Sequence, residues 1–178
     1  KKTVGDLQLQ LLDAGHLPGS VQVLVESGDG RRLLYTSDYN ISDTRLLRGA
    51  DRNYGELDAF VMESTYANEE HPDRATLEKE FVERITEVVE DGGTVLVPAF
   101  SVGRSQEIAL VLAAYHFEYS VTIDGMSRET NRLLMNRTAY LRDPRLFMDA
   151  VHLADSVENW RDRRLATKKP GVIISPAG

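Results

Sequence analysis

The chain has 178 residues, 42% of them hydrophobic and 28% charged, with a formal net charge of −7. It is long enough for one globular domain or parts of two, and no apolar run approaches the roughly 20 residues of a membrane-spanning helix. Zero cysteines exclude disulfides and thiolate metal sites, so a transition-metal site would have to be built from imidazole and carboxylate. The acidic balance argues against nucleic-acid binding by net charge alone and leaves a local basic patch as the remaining route.

The first elements read as β. Residues 6–12 alternate loosely and lead into a Gly-Pro loop, "DAGHLPGS", that carries His16. Residues 20–26 alternate with period two, "SGDG" supplies turn chemistry, and "RRLLYTSDYN" resumes as a strand that Asp38 ends, which predicts a hairpin. A polar loop over 42–56 precedes a short apolar strand, 57–62, that runs into "ESTY".

From there the pattern becomes α/β. A helix is predicted over 74–90 with Leu77, Phe81, Ile85, Val88 and Val89 on its buried face, stopped by "DGG". A buried-type strand at 94–97, a loop at 98–104 and an apolar helix at 105–115 follow. A strand at 120–123, a helix over about 128–140, a helix over 155–166 with Trp160 and Leu165 facing inward, and a strand in "GVIIS" complete the chain. Alternating helices and short apolar strands indicate a mostly parallel sheet.

In open α/β sheets, ligands gather outside the carboxyl ends of the strands. Four such ends are polar: "ESTY", "PAFSVGRS", "DGMSR" and "SPAG". Ser101 and Ser127 read as helix caps, and Arg104 and Arg128 as candidates for phosphate oxygens. Connector serines and glycines are ordinary, so only the coincidence of several such loops carries weight. His16 and Asp38, 22 residues apart across the hairpin, are chemically suited to a metal. On spacing alone, a structural His and a turn Asp remain the alternatives. His116 reads as a helix C-terminal cap, His152 as boundary packing and His71 as a loop residue.

Taken in order, "DAGHLPGS", "YTSDYN", "VMESTY", "HPDR", "LVPAFSVGRSQE" and "SPAG" resemble the β-CASP branch of the metallo-β-lactamase-fold nucleases. Archaeal relatives of the cleavage and polyadenylation specificity factor endonuclease look nearest, and ribonuclease J more distant. The resemblance implies an α/β fold with the C-terminal part of a metallo-β-lactamase sheet region over residues 1–63. A mostly parallel β-CASP domain, incomplete at its C-terminus, would occupy 64–178. It implies a zinc-dependent ribonuclease acting in mRNA 3′-end processing or RNA decay, in the cytoplasm. Its partner would be RNA, with no membrane, working as a homodimer or within an RNA-processing complex. His16 and Asp38 would be zinc ligands, Asp38 bridging two ions, and Glu63 would orient a histidine. Ser64, Thr65, Tyr66, Ser101, Arg104, Ser127 and Arg128 would line the path of the substrate. The family's His-x-His-x-Asp-His motif has no counterpart here, since no two histidines lie closer than 36 residues. The expectation is therefore a piece cut at both ends, binding little or no zinc by itself and inactive. A non-catalytic scaffold subunit, a DNA-processing relative and a plain nucleotide-binding module are the competing readings.

Overall fold

A computed structural model describes residues 1–176 and divides the chain into two compact units, Lys1–Glu69 and the remainder from Glu70. No described helix is long and apolar enough to cross a membrane.

The first unit is a five-stranded sheet in sequential order: β1 (Lys2–Val4), β2 (Leu7–Asp13), β3 (Val21–Glu26), β4 (Arg32–Tyr35) and β5 (Ala59–Val61). The first three pairings are antiparallel and β4–β5 is parallel. Period-two alternation sends Leu12, Leu24 and Leu34 to one face, where Tyr54 and Leu57 from the long 36–58 connection pack against them. β1, absent from the sequence reading, pairs through only three residues, all exposed, so it carries no hydrophobic signal.

The second unit is a parallel four-stranded sheet with flanking helices. Helix α1 (Arg74–Glu90) precedes β6 (Thr94–Ala99), α2 (Arg104–Ala114), β7 (Ser120–Ile123), α3 (Ser127–Met135) and a 3₁₀ turn at Thr138–Tyr140. Then come α4 (Pro144–Leu153), β8 (Asp155–Ser156), α5 (Trp160–Ala166) and β9 (Gly171–Pro176). The strand order is β6-β9-β7-β8, so the last strand inserts between the first two. That central place explains why Gly171 to Ile174 are all buried, whereas β6, on an edge, alternates with exposed Leu96.

Several expectations are corrected. The buried stripe of α1 is Glu78, Val82, Ile85 and Val89, while Leu77 and Val88 are exposed. The apolar set predicted for that face mixed two neighbouring helical rows. β6 is an exposed edge strand rather than a buried one and continues through Pro98, which an edge tolerates because its ladder needs fewer donors. The helix expected over 128–140 stops at Met135, and α4 was missed despite an Asp143 cap that accepts from Arg145 N and Leu146 N, with Pro144 at its first turn. The last helix starts at Trp160, not 155, because Asp155 and Ser156 pair with β7. Trp160 and Leu165 do not face inward: they are 66% and 52% exposed.

Candidate functional site

Strand direction alone gathers three of the predicted residues. β2 and β4 run toward the same end of the first sheet, β5 runs parallel to β4, and the pairs Asp13↔Val21, Val23↔Tyr35 and Tyr35↔Val61 set their ends level. The loop bearing His16, the segment bearing Asp38 and the segment bearing Glu63 therefore all leave the sheet at one edge.

Backbone hydrogen bonds fasten these segments together. Asn40 N donates to Ala14 O (2.9 Å), Ala50 N to Asn40 O (2.7 Å), Asp51 N to Asp13 O (3.0 Å) and Thr36 N to Val61 O (3.0 Å). Buried Gln22 reinforces the seam, its amide donating to the carbonyls of Asp13 (2.9 Å) and Asp51 (2.7 Å). Within the His16 loop, Ser20 Oγ accepts from His16 N and Leu17 N at 3.3 and 3.1 Å.

The residue before each candidate ligand adopts left-handed backbone: Gly15 (φ +65°) before His16 and Ser37 (φ +51°) before Asp38. Glycine is required at 15, because a Cβ there would sit 2.5 Å from Asn40 O and 2.6 Å from Ala50 N. Ser37 carries a side chain through the same strained region and is held by Ser37 Oγ donating to Val21 O (2.8 Å), while buried Thr36 donates to Ser37 O (2.7 Å). His16 and Asp38 are both exposed, as a site reached by solvent needs.

Glu63 accepts from Thr65 N at 2.7 Å. That hydrogen bond, with a second from the Thr65 hydroxyl and a smaller attraction to His16, holds its carboxyl below the ordinary glutamate range. Glu63 thus stays ionised while bracing the "ESTY" turn, where Ser64, Thr65 and Tyr66 are exposed.

Among the described residues, no group of three or more His, Asp and Glu side chains could hold a metal ion. The residues present therefore do not fit a zinc centre by themselves. His16 and Asp38 offer at most part of one.

In the second unit all four strands are parallel, so the loops after β6 and β7 share an edge. Ser127 was expected to cap a helix and meet substrate. It is fully buried, and its hydroxyl donates to Ser105 Oγ (2.8 Å), which leaves it inaccessible to a ligand. The residue preceding α2 is Gly103 rather than Ser101; Gln106 Oε1 accepts from Gly103 N (2.8 Å), and the Gln106 amide donates to Ser101 O (3.1 Å) and Asn131 Oδ1 (2.8 Å). This buried Ser105–Gln106–Ser127–Asn131 network locks the two loops together. It was missed, although a glutamine just ahead of the apolar run Ile108 to Leu112 was its signal. Met126 precedes α3 without a side-chain cap.

The two arginines behave differently. Arg128 is mostly buried, donating to Val157 O and paired with Glu158 at 3.1 Å. Arg104 is exposed and has no ion pair among the described residues. Asp124, beside Gly125, was not singled out. It is buried and receives Arg163 Nε and Nη2 at 2.6 and 2.9 Å, which holds its carboxyl below the ordinary aspartate range. Of "SPAG", Ser175 and Pro176 close β9, and Ala177 and Gly178 lie outside the described residues.

No family model matches the chain. Curated proteins do. RNase aCSPSF2 of Saccharolobus solfataricus is 43% identical over 176 residues, 98% of this chain and 36% of its own. Probable RNase MJ4 of Methanocaldococcus jannaschii is 36% identical over 184 residues, covering all of this chain and 43% of its own. The chain belongs to the β-CASP RNA-nuclease family. Another member, the transcription termination factor FttA of Methanothermobacter thermautotrophicus, is 34% identical over 192 residues, 97% of this chain and 30% of its own. The chain thus spans 30% to 43% of the length of these β-CASP relatives. The α/β architecture, one mixed and one parallel sheet, is consistent with that family.

Proposed function

We propose that this chain is part of a metal-dependent ribonuclease that hydrolyses RNA phosphodiesters, with the first unit belonging to the metallo-β-lactamase region and the second to the β-CASP region. The observation that carries the reading is the delivery of His16, Asp38 and Glu63 to one edge of one sheet, in a chain 43% identical to a protein named an RNase. His16 and Asp38 would contribute ligands to a zinc centre completed by other parts of a longer protein, and zinc would supply an activated water. Glu63, kept anionic by Thr65, would orient a proton-carrying group. The buried Gln106 network would hold Ser101 and exposed Arg104 at the edge where phosphates pass.

The kinship to termination factors supports a narrower version, in which cleavage serves the release of nascent transcripts. The test is Asp38→Ala in the longest protein that contains this chain. Cleavage of a labelled single-stranded RNA should fall at least a hundredfold, with the circular dichroism spectrum unchanged. Undiminished turnover removes Asp38 from the site.

A further inference from the structure

Helix α5 buries none of its seven residues. A helix this short does not persist by intrinsic propensity, so its fixtures are informative. Asn159 Oδ1 accepts from Arg161 N (2.9 Å) and Asp162 N (3.2 Å), and Arg163 reaches in to Asp124. Those contacts orient the helix so that its two large apolar side chains, Trp160 and Leu165, stand in solvent. An exposed leucine is commonplace; an exposed tryptophan held on a fixed element is not.

Charge supplies the second observation. Residues 160–169, "WRDRRLATKK", hold five basic side chains against one acidic, a net of +4 in a chain whose total is −7. Only Arg163 is spent internally. Arg161, Arg164, Lys168 and Lys169 are exposed and have no ion pair among the described residues. Trp160 and Arg164, four residues apart in the helix, share one stripe of its surface, and Lys168 and Lys169 follow in the turn just past its end. An apolar partner would have to desolvate these cations, whereas a polyanion with flat, stackable rings satisfies both halves of the stripe.

We propose that Trp160 and the cations of the α5 segment form a contact surface for single-stranded RNA, Trp160 stacking on an unpaired base while Arg161, Arg164, Lys168 and Lys169 neutralise phosphates. The proposal rests on the ribonuclease reading for its choice of polyanion. It goes beyond that reading in assigning a surface none of whose residues belongs to the His16–Asp38–Glu63 edge. Because all four strands are parallel, Trp160 follows the carboxyl end of β8 as Arg104 follows that of β6, on the same side of the sheet but at its opposite outer strands, and the stripe leads away from there along α5. A strand held at the loops after β6 and β7 continues onto it.

Trp160 is the only tryptophan, so its fluorescence reports the contact directly. Titration with a 12-nucleotide oligoadenylate should quench Trp160 emission over the same concentration range in which the anisotropy of the end-labelled oligonucleotide rises. Trp160→Ala should weaken binding about tenfold, and Trp160→Phe less. The double variant Arg161→Ala/Arg164→Ala should lower the slope of log affinity against log salt by about 1.4, two phosphates at roughly 0.7 each. Binding without quenching, a salt slope unchanged in the double variant, or no RNA binding at low salt each overturns the surface. Heparin binding as tightly as RNA also overturns it, since charge alone would then suffice. Cleavage by the longer protein is measured separately: if cleavage depends on Asp38 while these signals fail, the α5 surface is wrong and the nuclease reading stands. If the signals appear but Asp38→Ala leaves cleavage intact, the reverse holds.

Discussion

Replacing Gly15 by alanine tests whether the His16 loop is held by close backbone approach. The added Cβ would lie 2.5 Å from Asn40 O, 2.6 Å from Ala50 N and 2.9 Å from Gly49 C, all backbone atoms that cannot rotate aside. Relief requires the loop to lift by most of an ångström, which strains the hydrogen bonds Asn40 N–Ala14 O and Ala50 N–Asn40 O at the centre of the contact. The left-handed φ of +65° costs alanine about 1 kcal/mol, and two weakened hydrogen bonds cost about 1 kcal/mol each, for a loss of about 3 kcal/mol. Gly5 provides the control. Its φ is +62°, yet nothing lies within 4 Å of a Cβ there, so Gly5→Ala should lose only the conformational part, about 1 kcal/mol. Urea unfolding of both variants, followed by circular dichroism, measures the difference. Equal losses would refute the close-approach argument. In a longer, active protein Gly15→Ala should also depress RNA cleavage, because the lift displaces His16 relative to Asp38.

Asp124→Asn should destabilise the second unit by about 1–2 kcal/mol, toward the low end for a buried carboxylate because Arg163 is open to solvent. Since the folded pKa of Asp124 is depressed, its contribution is full above the unfolded value of about 4 and fades as pH falls through the folded value. The gap between parent and variant in denaturant midpoint should therefore close below about pH 4, and a gap that persists there would assign the loss to packing. His116 sits at the left-handed position of the α2 terminus, with His116 N donating to Ala113 O and Phe117 N to Leu112 O, the same arrangement that Gly92 and Gly93 make after α1. His116→Gly should raise stability by about 0.5–1 kcal/mol in thermal unfolding, and a loss would show that the imidazole has a compensating role. Metal analysis of this chain after dialysis against zinc should find less than one ion per chain, and two tightly held ions would contradict the ligand count.

The extent of α1 could be read directly, 74–90 as observed, because its signals are local: Asp73 Oδ1 accepting from Thr76 N at one end and Gly92 at the other. β7 at 120–123 and the β3–β4 hairpin were legible for the same reason. α4 carries equally local signals, the Asp143 cap and Pro144 in its first turn. His16 and Asp38 stand out by their places at the ends of β segments and their ligand chemistry, with a structural His and a turn Asp left open on spacing alone, whereas their metal roles and that of Glu63 come only from the motif resemblance.

What the sequence determined by itself was the set of short-range choices: where strands alternate, where helices cap and where glycine must turn the chain. Tertiary structure decided the rest, because it depends on pairings far apart in the chain. The insertion of β9 between β6 and β7 joins Val97 to Ile174. Ser127 is removed from any ligand by a hydroxyl 22 residues away, and Trp160 is turned outward by an ion pair spanning 39 residues. Local pattern states that a side chain is apolar or charged; only the packed partner decides which way it points.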